Sequence, residues 1–139
     1  MLINKAIEIA ARAHSGQYDK GGNPYIFHPL RVMLNVKGGE NEQCAAVLHD
    51  VMEDTDVTEA DLIRNGFDKD IIAALNLLTK ASDMDYMDYI RNLKVNPIAR
   101  AVKAADLEDN MDMSRIENPT EQDYIRLKKY IKAKKLLEE

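Results

Sequence analysis

Residues 48–55 run Leu48-His49-Asp50-Val51-Met52-Glu53-Asp54-Thr55. They close a stretch in which Val47 and Leu48 stand three and four residues after Cys44, the spacing of one helix face. The pattern predicts a helix over 41–53. Adjacent helical residues point about 100° apart, and residues four apart share a face. Glu53 thus follows His49 by one turn, and Asp54 follows Asp50. One imidazole and three carboxylates project from adjacent rows of one helix end. Burying three carboxylates without a counter-charge is costly. A cation removes that cost, and so does open solvent.

The same period extends outward. Leu2, Ile3, Ala6, Ile7, Ile9, Ala10 and Ala13 mark a first helix, and Gly16 opens a polar loop that reaches Asn23. Proline is favoured in the first turn, so a second helix is expected near Pro29 and runs to Val36, before Gly38-Gly39. Thr58 with Asp61 three residues on resembles a capping signal for a fourth. Ile71 to Leu78, Tyr86 to Leu93, Pro97 to Ala105 and a final segment through Tyr124, Leu127, Tyr130 and Ile131 complete the set. No window alternates with period two long enough for a strand. The expected fold is all-α: one domain, 1–139, of about eight helices.

Composition narrows the function. At 139 residues the chain is long enough for a real core, and 45% apolar with 31% charged residues is a globular balance. No apolar run approaches the ~20 residues of a membrane span, and no signal peptide is evident. The lone Cys44 excludes a disulfide framework or a Cys-rich zinc site and reads as buried core. Together these features point to a cytoplasmic protein. A net charge of −5 argues against a nucleic-acid partner. Residues 104–123 hold seven carboxylates against Arg115 alone, while 124–135 hold six basic residues and no acidic one. From charge alone these are two opposed solvated faces.

Three histidines occur: His14, His28 and His49. A lone His-Asp pair such as His49-Asp50 is more often structural than catalytic. Two further residues strengthen it. His28 sits at a helix start with its backbone constrained by Pro29. Asp106 follows Val102-Lys103-Ala104-Ala105, a helical run that suits an inward carboxylate. Two imidazoles and two carboxylates suit a borderline divalent ion such as Mn²⁺, Fe²⁺ or Zn²⁺. His14, at the end of the first helix, reads as a packing or capping residue.

Four ordered segments carry a family resemblance: Ala13-His14-Ser15-Gly16-Gln17, Pro24-Tyr25-Ile26-Phe27-His28-Pro29, Leu48 to Thr55, and Val102 to Asn110. From Gln17 to Asn110 the chain resembles the HD-domain metal-dependent phosphohydrolases. It is most similar to the alarmone hydrolase branch, which comprises the hydrolase domain of RelA/SpoT proteins and the small stand-alone (p)ppGpp hydrolases. The resemblance implies a helical bundle with one divalent ion at its centre, usually Mn²⁺, held by His28, His49, Asp50 and Asp106. It implies that Glu53 and Asp54 orient and deprotonate the attacking water. It matches Asn110 to a nucleotide contact, Arg126 and Tyr130 to a phosphate-contacting pair, and Lys20 to the lysine of a basic pair.

Some positions depart from that pattern. Asp19 stands where the branch usually carries arginine, which adds repulsion toward a polyphosphate. Glu108-Asp109 adds two carboxylates where basic or aromatic residues are frequent, and the loop from Lys80 to Tyr86 adds Asp83 and Asp85. Arg126 and Tyr130, one turn apart, fit a basic amphipathic helix equally well. The expected function is hydrolysis of the 3′-pyrophosphate of guanosine alarmones, with a small nucleotide as partner. Hydrolysis of another nucleotide or phosphorylated metabolite, and nucleotide or metal sensing without turnover, are the alternatives. The sequence permits a homo-oligomer without demanding one.

Overall fold

A computed structural model describes every residue from Met1 to Glu139. The helices are α1 Leu2–Ala13, α2 Phe27–Asn35, α3 Glu40–Leu48, α4 Val51–Asp54, α5 Glu59–Arg64, α6 Lys69–Leu78, α7 Tyr86–Lys94, α8 Pro97–Met111 and α9 Glu121–Glu138. A 3-10 turn, Met113–Arg115, joins the last two. The all-α architecture expected from the periodicity is what the chain adopts. The only β feature is an isolated bridge between Tyr18 and Pro24, which pinches the first loop. No helix is long and apolar enough to cross a membrane.

Short polar side chains fix most helix starts. Asp68, Asp85 and Asn96 each accept a backbone N–H from the first turn of α6, α7 and α8. Thr58 with Asp61, and Thr120 with Asp123, close reciprocal capping boxes on α5 and α9. Each such cap is worth about 1 kcal/mol. Gly66 ends α5 at φ +90°, a backbone region that a side chain disfavours.

The core is one cluster, and α3 runs through its middle. Cys44, Ala45, Ala46, Val47 and Leu48 are all buried, so this helix has no solvent face over its last turns. It packs against α1, α2, α6 and α8. Its end therefore delivers His49 and Asp50 to the centre of the molecule.

Here the structure departs from the sequence reading. Residues 41–53 do not form one helix: α3 stops at Leu48 and α4 starts at Val51. The Ala46 carbonyl accepts two donors, the His49 backbone N–H at 3.3 Å and the His49 ring Nδ1 at 2.6 Å. That double claim closes a tight i→i−3 turn and ends the ladder. The break accounts for the ninth helix where eight were counted. α2 also begins two residues early, at Phe27. Pro29 is tolerated there because first-turn N–H groups lack intrahelical acceptors anyway.

The charge reading needs correction too. Asp106 and Asp123 are buried, and Lys134 of α9 bridges to Glu108 of α8 at 3.1 Å. The two stretches meet at Glu108–Lys134 and at Asp123–Arg126, while most of their other charged residues face water.

Candidate metal centre and adjoining cleft

His28 of α2, His49 beyond α3 and Asp106 of α8 each place one ligand atom within 4.8 Å of the others. Nε2 of His28 lies 2.8 Å from Asp106 Oδ1, and Nε2 of His49 lies 3.2 Å from the same oxygen. Oδ2 of Asp50 is 3.1 Å from His49 Nε2 and 3.9 Å from His28 Nε2. The structure thus brings together all four residues named as ligands. The helix break is what turns Asp50 toward them.

The donor chemistry fits a divalent cation. A carbonyl can only accept, so Nδ1 of His49 carries its proton toward Ala46. Nδ1 of His28 lies 2.6 Å from Asp109 Oδ2. In the neutral His49 ring the lone pair therefore sits on Nε2 and faces an Asp106 oxygen, and Nε2 of His28 faces the same oxygen. A lone pair aimed at a carboxylate requires either an added proton or a cation between them. A borderline metal satisfies imidazole and carboxylate together.

Without a cation, protons fill that role. Burial opposes a charge on His28, but hydrogen bonds to Asp106 and Asp109 outweigh it and raise the pKa above the ordinary 6.5. Burial likewise opposes a charge on His49, and the Asp50 and Asp106 charges raise it well above that value. Burial pushes Asp106 up, while Lys103 and His49 pull it well below the usual carboxylate range.

Sequence reasoning missed several residues around this cluster. Lys103, itself buried, donates to Asp106 Oδ2 at 2.9 Å under the rings of Tyr86 and Tyr89. The Tyr25 hydroxyl donates to Asp50 Oδ2 at 2.5 Å. Burial and then the Asp50 charge push that phenol far above its ordinary pKa. Asp109 contacts His28 and is gripped by Arg31 from Nε at 2.7 Å and Nη2 at 3.1 Å. The signal for Asp109 was its position three residues after Asp106 on one helix face. Its sign made it read as a departure. His14 is buried, with Nδ1 2.8 Å from Gln17 Oε1 and its ring 5.0 Å from that of Tyr25.

Glu53 and Asp54 lie on α4, and both are exposed. Oε1 of Glu53 accepts the Lys80 backbone N–H at 2.8 Å. Burial, then the charges of Asp50 and Glu53, raise the Asp54 pKa.

A cleft of about 330 Å³ opens beside His28. Lys20, Asn110, Arg126 and Tyr130 all line it, together with Asp19, Arg31, Asp112 and Arg115. Asn110 also donates to Asp106 Oδ1 at 3.2 Å. Lys20 and Arg126 both reach Asp123, at 3.5 and 2.5 Å.

The HD domain profile matches residues 6–119. The chain belongs to the HD-domain family. This HD-domain chain is 39% identical over 85 residues to a guanosine-3′,5′-bis(diphosphate) 3′-pyrophosphohydrolase of Borreliella burgdorferi, covering 59% of the chain and 13% of that protein. It is 35% identical over 99 residues to a probable enzyme of the same name from Mycoplasma genitalium, covering 68% of the chain and 14% of that protein. The bifunctional (p)ppGpp synthase/hydrolase SpoT of Escherichia coli is 33% identical over 89 residues, 62% of the chain and 12% of that protein. The HD-domain chain thus spans about one-eighth of the length of these relatives. A solved metazoan orthologue of SpoT, described as hydrolysing ppGpp, shares the fold at a TM-score of 0.80 and 23% identity, covering 98% of this chain and 84% of that one.

Proposed function

We propose that this chain is a cytoplasmic, Mn²⁺-dependent phosphohydrolase that removes the 3′-pyrophosphate of guanosine alarmones, (p)ppGpp. The observation that carries the reading is the convergence of His28, His49, Asp50 and Asp106, both Nε2 atoms facing inward, beside a cleft lined by Lys20, Asn110, Arg126 and Tyr130. The activity for which the relatives and the structural neighbour are named supplies the substrate of this reading.

The four residues would hold the cation, which supplies charge for the phosphoryl group and makes a water more acidic. Glu53 and Asp54 orient the attacking water and accept its proton. The raised pKa of Asp54 suits a base better than an ordinary surface carboxylate would. Water oxygen bonds to phosphorus, the bond to the 3′ oxygen breaks, and that oxygen leaves with a proton as the ribose hydroxyl. Arg126 offers paired donors to phosphate, and Tyr130 and Asn110 border the nucleotide. Lys20 adds one positive charge at the cleft mouth.

A second reading, hydrolysis of a nucleotide with fewer phosphates, is favoured by Asp19 and Asp112 in the cleft lining. Both add negative charge where a polyphosphate would lie. The test is phosphate and pyrophosphate release with Mn²⁺ over a nucleotide panel that includes alarmones, wild type beside Glu53→Ala. Pyrophosphate release from an alarmone, lost in the variant, is the expected result. Release only from less charged nucleotides replaces the first reading with the second.

A further inference from the structure

The two ring nitrogens of His28 are met by two carboxylates from one helix. Asp106 lies 2.8 Å from Nε2, and Asp109 lies 2.6 Å from Nδ1. The pair are three residues apart on α8, hence neighbours on one face. A neutral imidazole holds one proton, and it can sit on either nitrogen. On Nε2 it would occupy the lone pair that a cation needs. His49 has this choice made by its own backbone, through the Ala46 carbonyl at 2.6 Å. His28, in the first turn of α2, has no such carbonyl among its partners.

We propose that Asp109 is the positioning residue for His28: its carboxylate keeps the ring proton on Nδ1 and fixes the ring plane, leaving Nε2 open to the cation. This rests on the metal-centre reading above. Asp109 is built for the task because it is itself immobilised. Arg31 grips both its oxygens, from Nε to Oδ1 at 2.7 Å and from Nη2 to Oδ2 at 3.1 Å. Arg31 sits one turn beyond His28 on α2, so the helix that carries the ring also carries its partner's clamp. Arg115 adds a second hold, with Nη2 3.3 Å from Oδ1 and 3.0 Å from the Asp109 backbone oxygen. An acceptor that is held from two sides costs little further entropy when it orients a ring. Carboxylates placed behind metal-binding histidines fix tautomer and orientation in this way, and their loss typically weakens metal binding 10- to 100-fold.

The test uses the full chain and Mn²⁺ alone, without nucleotide. Calorimetry on metal-free wild type, Asp109→Asn and Asp109→Ala gives the Mn²⁺ affinity, and ¹⁵N NMR of the wild type, metal-free at a pH where the ring is neutral and then with diamagnetic Zn²⁺, gives the His28 tautomer before and after loading. The expected result is a proton on Nδ1 of His28, a loss of about 10- to 100-fold in Mn²⁺ affinity for Asp109→Ala, and a smaller loss for Asp109→Asn, whose amide oxygen still accepts. A merely structural role would lower the melting temperature and leave the affinity of the folded variants unchanged. The proposal is overturned by a proton on Nε2, or by wild-type affinity in a folded Asp109→Ala. Should the alanine variant not fold, the isosteric asparagine and the wild-type tautomer decide. Failure to turn over alarmones, with these affinities observed, overturns the proposed reaction and supports the positioning role. A wild type that binds neither Mn²⁺ nor Zn²⁺ overturns both.

Discussion

Lys20 and Arg126 share one oxygen of Asp123: Nζ of the lysine lies 3.5 Å from Oδ1, and Nη2 of the arginine lies 2.5 Å from the same atom. Asp123 is buried, and its other oxygen accepts the Thr120 backbone N–H and hydroxyl at the start of α9. Two cleft cations are thus half-neutralised before any ligand arrives. Asp123→Asn preserves the shape and removes the charge, so GDP, a product of ppGpp hydrolysis, should bind several-fold tighter at low salt. Titration calorimetry reads this. Weaker binding would mean that Asp123 aligns the two cations rather than competing with phosphate for them.

Metal binding and turnover should separate by residue. Asp50→Ala deletes a proposed ligand and leaves the Tyr25 hydroxyl without its acceptor. It should lose Mn²⁺ and activity together. Glu53→Gln keeps an oxygen for the Lys80 N–H, retains Mn²⁺, and should lose on the order of 10²- to 10⁴-fold in rate if Glu53 takes the proton of water. Equal rates in wild type and both variants would contradict the assignment.

The metal-free protein should lose stability as the pH rises. His28 and His49 have pKa values raised above the ordinary 6.5 in the folded state. Their protonation stabilises the fold fully below the unfolded value, and that contribution disappears as the pH climbs through the folded values. Thermal melts of chelator-treated protein from pH 6 upward should therefore fall. Saturation with Mn²⁺ removes the dependence by replacing those protons, and at 100 times its Kd adds about 2.7 kcal/mol. A flat metal-free profile would contradict the proton-for-metal exchange.

Lys103→Met should cost the metal-free protein about 1.5–3 kcal/mol, the worth of one hydrogen bond to a charged group. It removes the donor that now meets Asp106 Oδ2 at 2.9 Å and leaves the buried carboxylate to His28, His49 and Asn110 on its other oxygen. Denaturant unfolding measures the loss. Added Mn²⁺ should recover part of it by supplying the missing positive charge.

Local patterns made most of the helices legible, because periodicity and caps act within a few residues. Thr58 with Asp61, and Pro97 in a first turn, are such cases. The break at His49-Asp50 was not legible. It depends on a ring nitrogen choosing a carbonyl three residues back over solvent, a choice set by burial. The convergence of His28, His49, Asp50 and Asp106 was legible through motif resemblance, since their separations in sequence carry no geometry of their own. Asp109 was misjudged for a related reason. As one charge among seven it looked like repulsion, and only its neighbours Arg31 and His28, 78 and 81 residues away, turn that charge into a hold. Lys20 and Arg126 were matched to substrate contacts only through the resemblance; both line the cleft, and their common tie to Asp123 could not be read from a chain in which they stand far apart.

The Tyr25–Asp50 hydrogen bond also bears on how the protein can be watched. The chain has six tyrosines and no tryptophan, so its ultraviolet emission is tyrosine emission alone. A phenol hydrogen-bonded to a carboxylate is a poor emitter, because the excited ring sheds its proton to that acceptor. Drawing Asp50 onto a cation relieves this quenching at Tyr25. A diamagnetic ion such as Zn²⁺ should therefore brighten the protein, whereas paramagnetic Mn²⁺ should dim it. The centre carries its own lamp, and loading can be followed without a label.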